Sequence, residues 1–480
     1  MIKKILFGLL VAVAVLFAVI LVNTIRFSSI QPHEATLRAP EVSEKELTNF
    51  TNAIKIKTIS YGDPSKTDTS QFIAFHDYLE KTYPLIHAQL KREKVDRFSL
   101  LYTWEGKNPQ LKPVVLMAHQ DVVPIEAGTE KIWTVDPFAG IIKDNYIWGR
   151  GTTDDKINLI SIMESIEKLL GENFKPDRTV YFAFGYDEEV GGKGALAIAK
   201  LMMERKIHAE MVLDEGGIIT LDKIPGMKQP VALLGTAEKG FLSLVLSVEK
   251  NGGHSSMPDK ETSIDILSKA LVRLRSKPFE AKFSQPMNDF IRAVGPEMPF
   301  MQKMVFANRW LFKSVLVGIY EKSNGGNAMV RTTLVPTIIN AGIKDNVIPT
   351  LATATVNLRL LPGDKVSDIL EQVNKTIADP QVKVEKKSGF SSESSAVTEV
   401  ASFGFQSVAK AVQRASAGTL ISPFLMIGAT DSRKFEEISP SIIKFSPMID
   451  PIGFHGIDER VSVESYKTSL WFYEQLLRGF

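Results

Sequence analysis

The chain has 480 residues, seven histidines and no cysteine, so a metal ion would have to be held by histidine or carboxylate side chains. Its hydrophobic fraction of 44% and its charged fraction of 23% are typical of a globular protein, and its length corresponds to about two or three domains. The net charge of +2 is not the strongly basic balance of nucleic-acid-binding proteins, so we predict no nucleic-acid partner.

The first predicted element is an apolar segment at residues 5–25, which contains no charged residue and is long enough to cross a bilayer core of about 30 Å as a helix. Lys3 and Lys4 precede it and Arg26 follows it, and the paired lysines favour a cytoplasmic N-terminus. A cleaved signal peptide is the alternative, but its apolar region would be shorter and would end in a small-x-small site, which this segment lacks. We therefore expect a membrane-anchored, single-pass protein with a transmembrane signal anchor at residues 1–26. The rest of the chain would lie in a periplasmic, extracellular or lumenal space.

Short apolar runs alternate with helical patterns after a polar linker at residues 27–44. The runs predict buried strands, and the patterns between them predict amphipathic helices. An alternation of this kind indicates an α/β domain with a largely parallel sheet. The predicted strands are residues 113–118, 178–184 and 209–213, and the predicted helices are residues 156–170 and 194–203.

A second region begins near residue 240, where the strand patterns change. Residues 241–248 alternate in part between apolar and polar side chains, and residues 351–359 are a second alternating run, as in a half-exposed antiparallel sheet. The helical stretch 262–320 between them is rich in Met, Phe and Leu, which indicates core packing, an apolar wall for a greasy substrate or a surface that meets the membrane. The α/β pattern returns near residue 365, so we predict one α/β domain that is interrupted by an α+β insert. The predicted domain comprises residues 45–239 and 363–480, and the insert comprises residues 240–362.

Acidic and histidine side chains follow three of the predicted strands, and a further acidic pair precedes a predicted helix. The carboxyl ends of the strands form the ligand-binding edge of an open α/β sheet, so we expect these groups to meet. So many carboxylates in one place are costly unless cations neutralise them, and carboxylates combined with imidazoles suit a two-metal site. A single His-x-Asp or Glu-Glu pair is usually an ordinary surface or core feature, and only the joint occurrence predicts metal binding. The groups are His119 with Asp121, Asp154 with Asp155, Asp187 with Glu188 and Glu189, and Asp214 with Glu215.

A series of short motifs in a fixed order resembles the M20 family of zinc-dependent metallopeptidases and amidohydrolases. The resemblance covers about residues 45–478, and within the family the chain is most similar to the branch of carboxypeptidase S and the N-fatty-acyl amino acid hydrolases. It implies a zinc-peptidase-like three-layer α/β catalytic domain with an inserted α+β lid or dimerisation domain. The motifs are residues 119–124 (HQDVVP), 133–138 (WTVDPF), 148–156 (WGRGTTDDK), 187–192 (DEEVGG), 213–216 (LDEG), 253–258 (GHSSMP), 346–349 (NVIP), 359–364 (RLLPGD), 428–433 (GATDSR) and 455–460 (HGIDER).

The resemblance also implies a metal centre with two Zn²⁺ ions, for which Co²⁺ or Mn²⁺ is an alternative. Asp121 would orient His119 through the second ring nitrogen, and Glu188, which neighbours a ligand, would be the general base. The implied ligands are His119 and Asp214 for one ion, Glu189 and His455 for the other, and Asp154 as the bridge.

Two details of this implied site depend on neighbouring residues. Either Asp214 or Glu215 could be the ligand, and we favour Asp214 because it comes first after the predicted strand. The family pattern also implies a cis peptide bond between Asp154 and Asp155.

The insert resembles the lid or dimerisation domain of the family, through which a homodimer would form. His254 resembles a histidine that stabilises the oxyanion, often in the partner subunit. Asn346 and Arg359 would bind the substrate, and the guanidinium of Arg359 suits a bidentate contact with a carboxylate. Taken alone, His254 is an ordinary turn residue, and Arg359 is a surface arginine on an edge strand.

The implied reaction is hydrolysis of an amide bond next to a free carboxylate, which would remove a C-terminal amino acid from small peptides. An N-acyl amino acid, including an N-fatty-acyl amino acid, is the alternative substrate. A more distant alternative is a non-catalytic, membrane-anchored binding protein, but such a protein is expected to lose a ligand or the base. A serine hydrolase would need a Gly-x-Ser-x-Gly turn, which the sequence lacks.

Overall fold

The computed structural model describes residues 1–32, 34–35, 37–389 and 391–480. These residues form two compact units. The first unit comprises Met1–Thr236, Asp289–Ala307 and Thr398–Phe480, and the second unit comprises Ala237–Asn288 and Asn308–Val397.

Helices and strands are numbered separately in chain order. The helices are α1 (Ile2–Arg26), α2 (Glu44–Lys55), α3 (Thr69–Thr82), α4 (Pro84–Gln89), α5 (Lys156–Gly171), α6 (Lys193–Glu204), α7 (Ser263–Ser276), α8 (Gln285–Val294), α9 (Phe300–Ala307), α10 (Arg309–Tyr320), α11 (Asn324–Val330), α12 (Val366–Ile377), α13 (Phe403–Ala415) and α14 (Val463–Arg478). The strands are β1 (Lys91–Val95), β2 (Ser99–Trp104), β3 (Val114–His119), β4 (Ile141–Lys143), β5 (Tyr146–Trp148), β6 (Val180–Gly185), β7 (Met211–Thr220), β8 (Val231–Glu238), β9 (Gly240–Glu249), β10 (Gly253–His254), β11 (Thr333–Ala341), β12 (Val347–Ile348), β13 (Leu351–Leu360), β14 (Lys383–Lys386), β15 (Leu420–Met426), β16 (Ile442–Ile449) and β17 (Arg460–Ser462).

A mixed eight-stranded sheet lies at the centre of the first unit, in the order β1-β2-β6-β3-β7-β16-β8-β15. β3 pairs in parallel with β6 and β7, and β7 pairs in parallel with β16. β1 pairs antiparallel with β2, β2 with β6, and β8 with β7 and β16. The predicted parallel sheet is therefore confirmed for the four central strands and wrong for these outer pairs, because β1–β2 and β7–β8 are consecutive strands joined without a crossover helix.

The side chains of β3 alternate between two apolar cores. Val114 and Leu116 belong to the core that includes residues of α5 and α14, whereas Val115 and Met117 belong to the core that includes residues of α6. A strand that is buried on both faces is apolar at every position, and this is why residues 113–118 stand out in the sequence. The strand ends at His119, which emerges at the edge of the sheet.

The second unit contains an antiparallel four-stranded sheet in the order β11-β13-β9-β14. In β9, Leu242, Leu244 and Leu246 are buried in an apolar core with Ile266 and Leu267 of α7. Ser243 and Val245, which lie between them, are half-buried. The alternation in residues 241–248 therefore predicted this strand correctly.

The second unit extends farther along the chain than the predicted insert. It ends at Val397 rather than at residue 362, because β14 pairs with β9 and α12 packs against α7. The segment Asp289–Ala307 belongs instead to the first unit. These long-range pairings have no local signature in the sequence.

The segment after α1 is held along the first unit by side-chain contacts. The side chain of Gln31 donates hydrogen bonds to the carbonyl oxygens of Ala293 and Ile421, each at 3.0 Å. The carboxylate of Glu34 lies 3.4 Å from the guanidinium of Arg414. α1 itself is long and apolar enough to cross a membrane.

Candidate metal centre

The carboxyl ends of the central strands deliver several of the predicted residues to one edge. His119 is the last residue of β3, and Glu188 and Glu189 form a short 3-10 turn just after β6. His119 lies opposite Gly185 in the parallel pairing of β3 with β6, so both strands end at the same edge. Glu215 lies in β7, beyond the part of that strand that pairs with β3.

Asp154 and His455 lie on two loops that a separate three-stranded sheet, β17-β5-β4, holds side by side. β5 pairs antiparallel with β17, and Trp148 lies opposite Arg460. The chain continues from β5 into the loop that carries Asp154, and the loop that carries His455 leads into β17. The pairing therefore brings together two side chains that are 301 residues apart in the sequence.

Glu459 holds the loop before α5 with a fully buried carboxylate. It accepts hydrogen bonds from Arg150 Nη1 at 2.5 Å, from the backbone N–H groups of Gly151 at 3.0 Å and Thr153 at 2.8 Å, and from Thr153 Oγ1 at 2.9 Å. Arg150 also donates to the carbonyl oxygen of Gly456 at 3.0 Å, in the loop before β17. The Arg150–Glu459 pair therefore positions both loops.

Asp154 lies at the centre of the cluster. Its Oδ1 is 2.8 Å from His119 Nε2, and its Oδ2 is 2.7 Å from His455 Nε2. His455 Nε2 is also 3.3 Å from Glu189 Oε2, and His119 Nε2 is 3.5 Å from Glu215 Oε1. Ligand atoms bound to one tetrahedral ion at about 2.0–2.2 Å lie roughly 3.3–3.6 Å apart. The separations of 3.3 and 3.5 Å therefore match those of ligand atoms on one ion, whereas the separations of 2.7 and 2.8 Å are hydrogen-bond distances.

The electrostatics of the cluster also suit a cation. Hydrogen bonds with Asp154 and Glu189 raise the pKa of His455 to about 10. Burial alone would lower the pKa of His119, but Glu215 and hydrogen bonds to carboxylates raise it well above its usual value. Glu189 Oε1 is buried and has no hydrogen-bond partner among the described residues. A cluster that attracts protons this strongly also attracts metal ions. The groups of side chains that could hold an ion are His119 with Asp154 and Glu189, and His119 with Asp155 and Glu215.

Asp121 supports the cluster from within the protein. His119 Nδ1 lies 3.0 Å from the Asp121 carbonyl oxygen and 3.3 Å from its Oδ1, so Nε2 is turned towards the other ligand atoms. The Asp121 carboxylate accepts hydrogen bonds from Ser60 Oγ at 2.6 Å and from the N–H groups of Glu188 at 3.1 Å and Glu189 at 3.2 Å. One carboxylate therefore fixes both the imidazole ring and the turn that carries the two glutamates.

The two acidic residues of β7 have different surroundings. Asp214 accepts hydrogen bonds from the N–H groups of Ser432 at 2.7 Å and Glu215 at 3.0 Å, whereas Glu215 faces His119. Our preference for Asp214 assumed that the strand ends at Leu213, but β7 continues to residue 220. Successive residues of a strand point to opposite faces, so only one of the two can face the cluster. The geometry favours Glu215 over the predicted Asp214.

Two acidic residues beside the cluster bind backbone N–H groups. Asp155 accepts a hydrogen bond from the N–H of His119 at 3.2 Å and another from the side chain of Asn158. The peptide bond between Asp154 and Asp155 is cis, as predicted. Asp187 accepts hydrogen bonds from the N–H groups of the first two residues of α6, at 3.0 and 2.8 Å. Its carboxylate therefore stabilises the start of that helix.

Residues 115–479 match the peptidase family M20/M25/M40, a stretch that includes every residue of this cluster. The chain belongs to this family. The protein named "Probable carboxypeptidase S-like 2" of Dictyostelium discoideum is 38% identical to it, over 100% of this chain and 94% of that protein. The N-fatty-acyl-amino acid synthase/hydrolase PM20D1 of Homo sapiens is 36% identical, over 93% of this chain and 91% of that protein.

The fold agrees with this assignment. The M20 family metallo-carboxypeptidase Sso-CP2 from Sulfolobus solfataricus aligns with a TM-score of 0.65 and 17% identity, over 91% of this chain and 99% of that chain. The predicted resemblance is therefore confirmed. The chain is an M20-family metallopeptidase or amidohydrolase, a member of a metal-dependent family, with an α/β fold built on a mixed sheet.

The three residues predicted in the insert of this M20 enzyme lie in its second unit. His254 is exposed and pairs across β10 and β12 with Val347, the neighbour of Asn346. Arg359 lies near the other end of β13, opposite Phe241, and its guanidinium is 4.8 Å from the centre of that ring. The second unit therefore brings His254 and Asn346 close together and places Arg359 separately.

Sequence reasoning missed several buried charged residues of the M20 fold, among them Arg150, Lys156 and Glu459. Lys156 Nζ donates hydrogen bonds to the carbonyl oxygens of Ala53 at 3.0 Å and Ile56 at 2.5 Å, at the end of α2. Burial lowers the pKa of Lys156 to about 7. All three residues lie inside the motifs of the resemblance, but none of them was among the residues to which we assigned a role. The sequence did offer a signal for these residues, because each is a charged residue close to a proposed metal ligand in a motif that contains glycine.

Proposed function

We propose that the chain is a two-metal hydrolase that cleaves an amide bond next to a free carboxylate and removes the C-terminal amino acid of small peptides. The observation that carries this proposal is the position of Asp154, whose two oxygens lie 2.8 Å from His119 Nε2 and 2.7 Å from His455 Nε2. A carboxylate in that position can bridge two ions about 3.5–4 Å apart. His119 and Glu215 would complete the site of one ion, and Glu189 and His455 would complete the other.

When bound, two Zn²⁺ ions, or Co²⁺ or Mn²⁺ in their place, would lower the pKa of the attacking water and polarise the scissile carbonyl. Glu188 would accept a proton from this water and then donate it to the leaving amine. The position of Glu188 supports this role, because it neighbours Glu189 and its N–H is held by Asp121 at 3.1 Å. Burial and neighbouring carboxylates raise the pKa of Glu188 well above its usual value, and the cations proposed beside it would oppose this shift and favour the ionised form that a base needs.

The variant Glu188→Gln tests this role, because an amide cannot accept the proton. We expect it to lose peptide hydrolysis while its metal content, measured by elemental analysis, stays that of the wild type. The matched control is Glu126→Gln, an exposed glutamate of the same unit, which should keep both activity and metal. Full activity of the first variant would contradict the assignment of the base, and loss of metal would identify Glu188 as a ligand.

The second unit supplies further candidates for substrate binding. We propose that Arg359 binds the substrate carboxylate through its planar guanidinium fork and that Asn346 assists in holding the substrate. His254 would donate a hydrogen bond to the oxyanion. Its exposure is consistent with a side chain that meets a ligand.

N-acyl amino acids, including N-fatty-acyl amino acids, are the second candidate substrates. The identity of 36% with a human N-fatty-acyl-amino acid synthase/hydrolase favours them, as do exposed apolar side chains of α10 such as Trp310 and Val315. Both classes contain an amide bond next to a carboxylate. Rates of hydrolysis of a dipeptide series and an N-acyl amino acid series, measured with zinc present, would separate them. Faster hydrolysis of long-chain acyl substrates would overturn the peptidase proposal in favour of the second candidate.

We also propose a location and an assembly for the protein. α1 would cross the membrane once, with Lys3 and Lys4 on the cytoplasmic side and the catalytic unit on the other. A second copy would bind through β11, an edge strand on which Val335, Ile338 and Ile339 are exposed. Protease protection in vesicles tests the topology, and the mass of the detergent-solubilised protein tests the dimer.

A further inference from the structure

The exposure of α1 changes along its length. Residues 5–19 are exposed on all sides, but towards the C-terminal end Ile20 and Asn23 are half-buried and Thr24 is only 1% exposed. These positions lie on one face of the helix, at the spacing of neighbouring turns. Since α1 contacts α9, we infer that α9 covers this face. The last turns of the apolar helix are therefore covered by protein.

Contacts just after α1 hold this arrangement in place. The guanidinium of Arg292 lies 5.6 Å from the centre of the Phe27 ring and donates a hydrogen bond to the carbonyl oxygen of Ser28 at 2.9 Å. Gly295 packs so closely against Phe27 that an added Cβ atom would lie 2.6 Å from the ring. Gln31 donates a hydrogen bond to the carbonyl oxygen of Ala293 at 3.0 Å. The segment that leads into α9 is thus attached to the end of α1.

The length of α1 places α9 relative to a bilayer. The uncharged segment 5–25 is about 31 Å long as a helix, which matches a hydrocarbon core of about 30 Å. Its fully exposed part, residues 5–19, accounts for only about 22 Å. The remaining roughly 9 Å of hydrocarbon lies at the level of the residues that α9 covers. If α1 spans the membrane, α9 must lie at that level too.

We propose that α9 is immersed in the non-cytoplasmic leaflet and that Phe300 and Met301 contact lipid. These two side chains are 56% and 65% exposed. α9 contains no acidic residue, and its one charged residue is Lys303, whose long side chain can reach the headgroups. The catalytic unit would then rest on the membrane surface by two contacts, the span and this helix. The proposal rests on the membrane anchor proposed above.

The absence of cysteine makes a direct test simple. Single cysteines are introduced by Met301→Cys, Leu16→Cys and Ile73→Cys in the full-length chain, labelled with an environment-sensitive fluorophore and reconstituted in phosphatidylcholine nanodiscs. Ile73 is the matched control, an exposed aliphatic residue of α3 in the same unit. Hydrolysis by each labelled protein shows that it is folded. The measurement is quenching of each label by lipids with brominated acyl chains.

We expect the label at residue 301 to be quenched several-fold more than the label at residue 73, and the label at residue 16 to be quenched strongly. Equal quenching at 301 and 73, with strong quenching at 16, would overturn the inference and leave the anchor intact. A blue-shifted but unquenched label at 301 would mean that protein covers α9, and it would overturn the inference as well. No quenching at residue 16 would remove the anchor and the inference together.

Discussion

The substitution Glu459→Gln tests how the two loops of the metal centre are held. Glutamine keeps the volume of the side chain but removes its charge. Glu459 Oε1 accepts the hydrogen bonds from Gly151 and Thr153, and Oε2 accepts the bond from Arg150. If the amide oxygen takes the place of Oε1, the amide NH₂ group takes the place of Oε2. It then faces the Arg150 guanidinium, so that two hydrogen-bond donors oppose each other. The buried arginine would lose its anionic partner.

Removing one member of a buried ion pair costs about 3–5 kcal/mol. Two features favour the lower end of this range. Arg150 keeps its hydrogen bond to the Gly456 carbonyl oxygen. Burial also raises the pKa of Glu459, against the opposing effect of Arg150, so the native carboxylate is itself not fully stabilised. We therefore expect a loss of about 3 kcal/mol in the free energy of unfolding. Because both loops carry proposed ligands, we also expect a loss of about 10–100-fold in metal affinity.

The assay is urea denaturation of the metal-loaded and the metal-stripped protein, together with a competition titration for zinc against a chelator. The control is Glu93→Gln, which removes the carboxylate that binds Arg205 at 2.7 and 2.9 Å on the surface. That change should cost less than about 1 kcal/mol, because exposed ion pairs contribute little. If Glu459→Gln costs no more than the control and leaves metal affinity unchanged, the reasoning about the loops is refuted.

Three further predictions follow from the same structure. Glu215→Gln should lower metal content in elemental analysis more than Asp214→Asn does, and the reverse order would restore Asp214 as the ligand. Asp121→Asn should weaken metal affinity by about 10–100-fold in a chelator competition, and unchanged affinity would contradict its role in orienting His119. Burial and a nearby arginine lower the pKa of Lys239 to about 7, below its unfolded value of about 10.4, so the unfolded state binds more protons between these pH values. Its contribution to the free energy of unfolding should rise with pH above 7 by up to about 1.4 kcal/mol per unit, and the slope should be smaller in Lys239→Met. Equal slopes in urea denaturation at pH 7 to 9 would contradict this.

The strands and helices that carry the centre were predictable because each has a strong local pattern. The run at residues 113–118 is β3, and the helical pattern at residues 156–170 is α5 within one residue. Buried strands and amphipathic helices leave such patterns, since side-chain burial follows the period of the backbone. The choice between Asp214 and Glu215 depends on the course of β7, which continues past Leu213 beside β16. How far a strand continues depends on its partners, which lie elsewhere in the chain.

The boundaries of the second unit also depend on partners elsewhere in the chain rather than on local sequence patterns. The local pattern of α12 and β14 is compatible with either unit, and only the pairing of β14 with β9 assigns that segment. The buried pair Arg150 and Glu459 is a similar case. Each residue alone resembles a surface charge, and their burial together depends on the pairing of β5 with β17.

The sequence by itself determined which chemistry is available to this protein. Without cysteine, the donors had to be histidine and carboxylate groups, and their positions after buried strands indicated a metal-binding edge. Only the tertiary structure decided which atoms meet. Asp154 lies between His119 and His455. Asp154 and His455 are 301 positions apart in the sequence, and they meet because β17 pairs with β5. Donor types and periodicity are local properties of a chain, whereas the distance between remote side chains depends on long-range strand pairing.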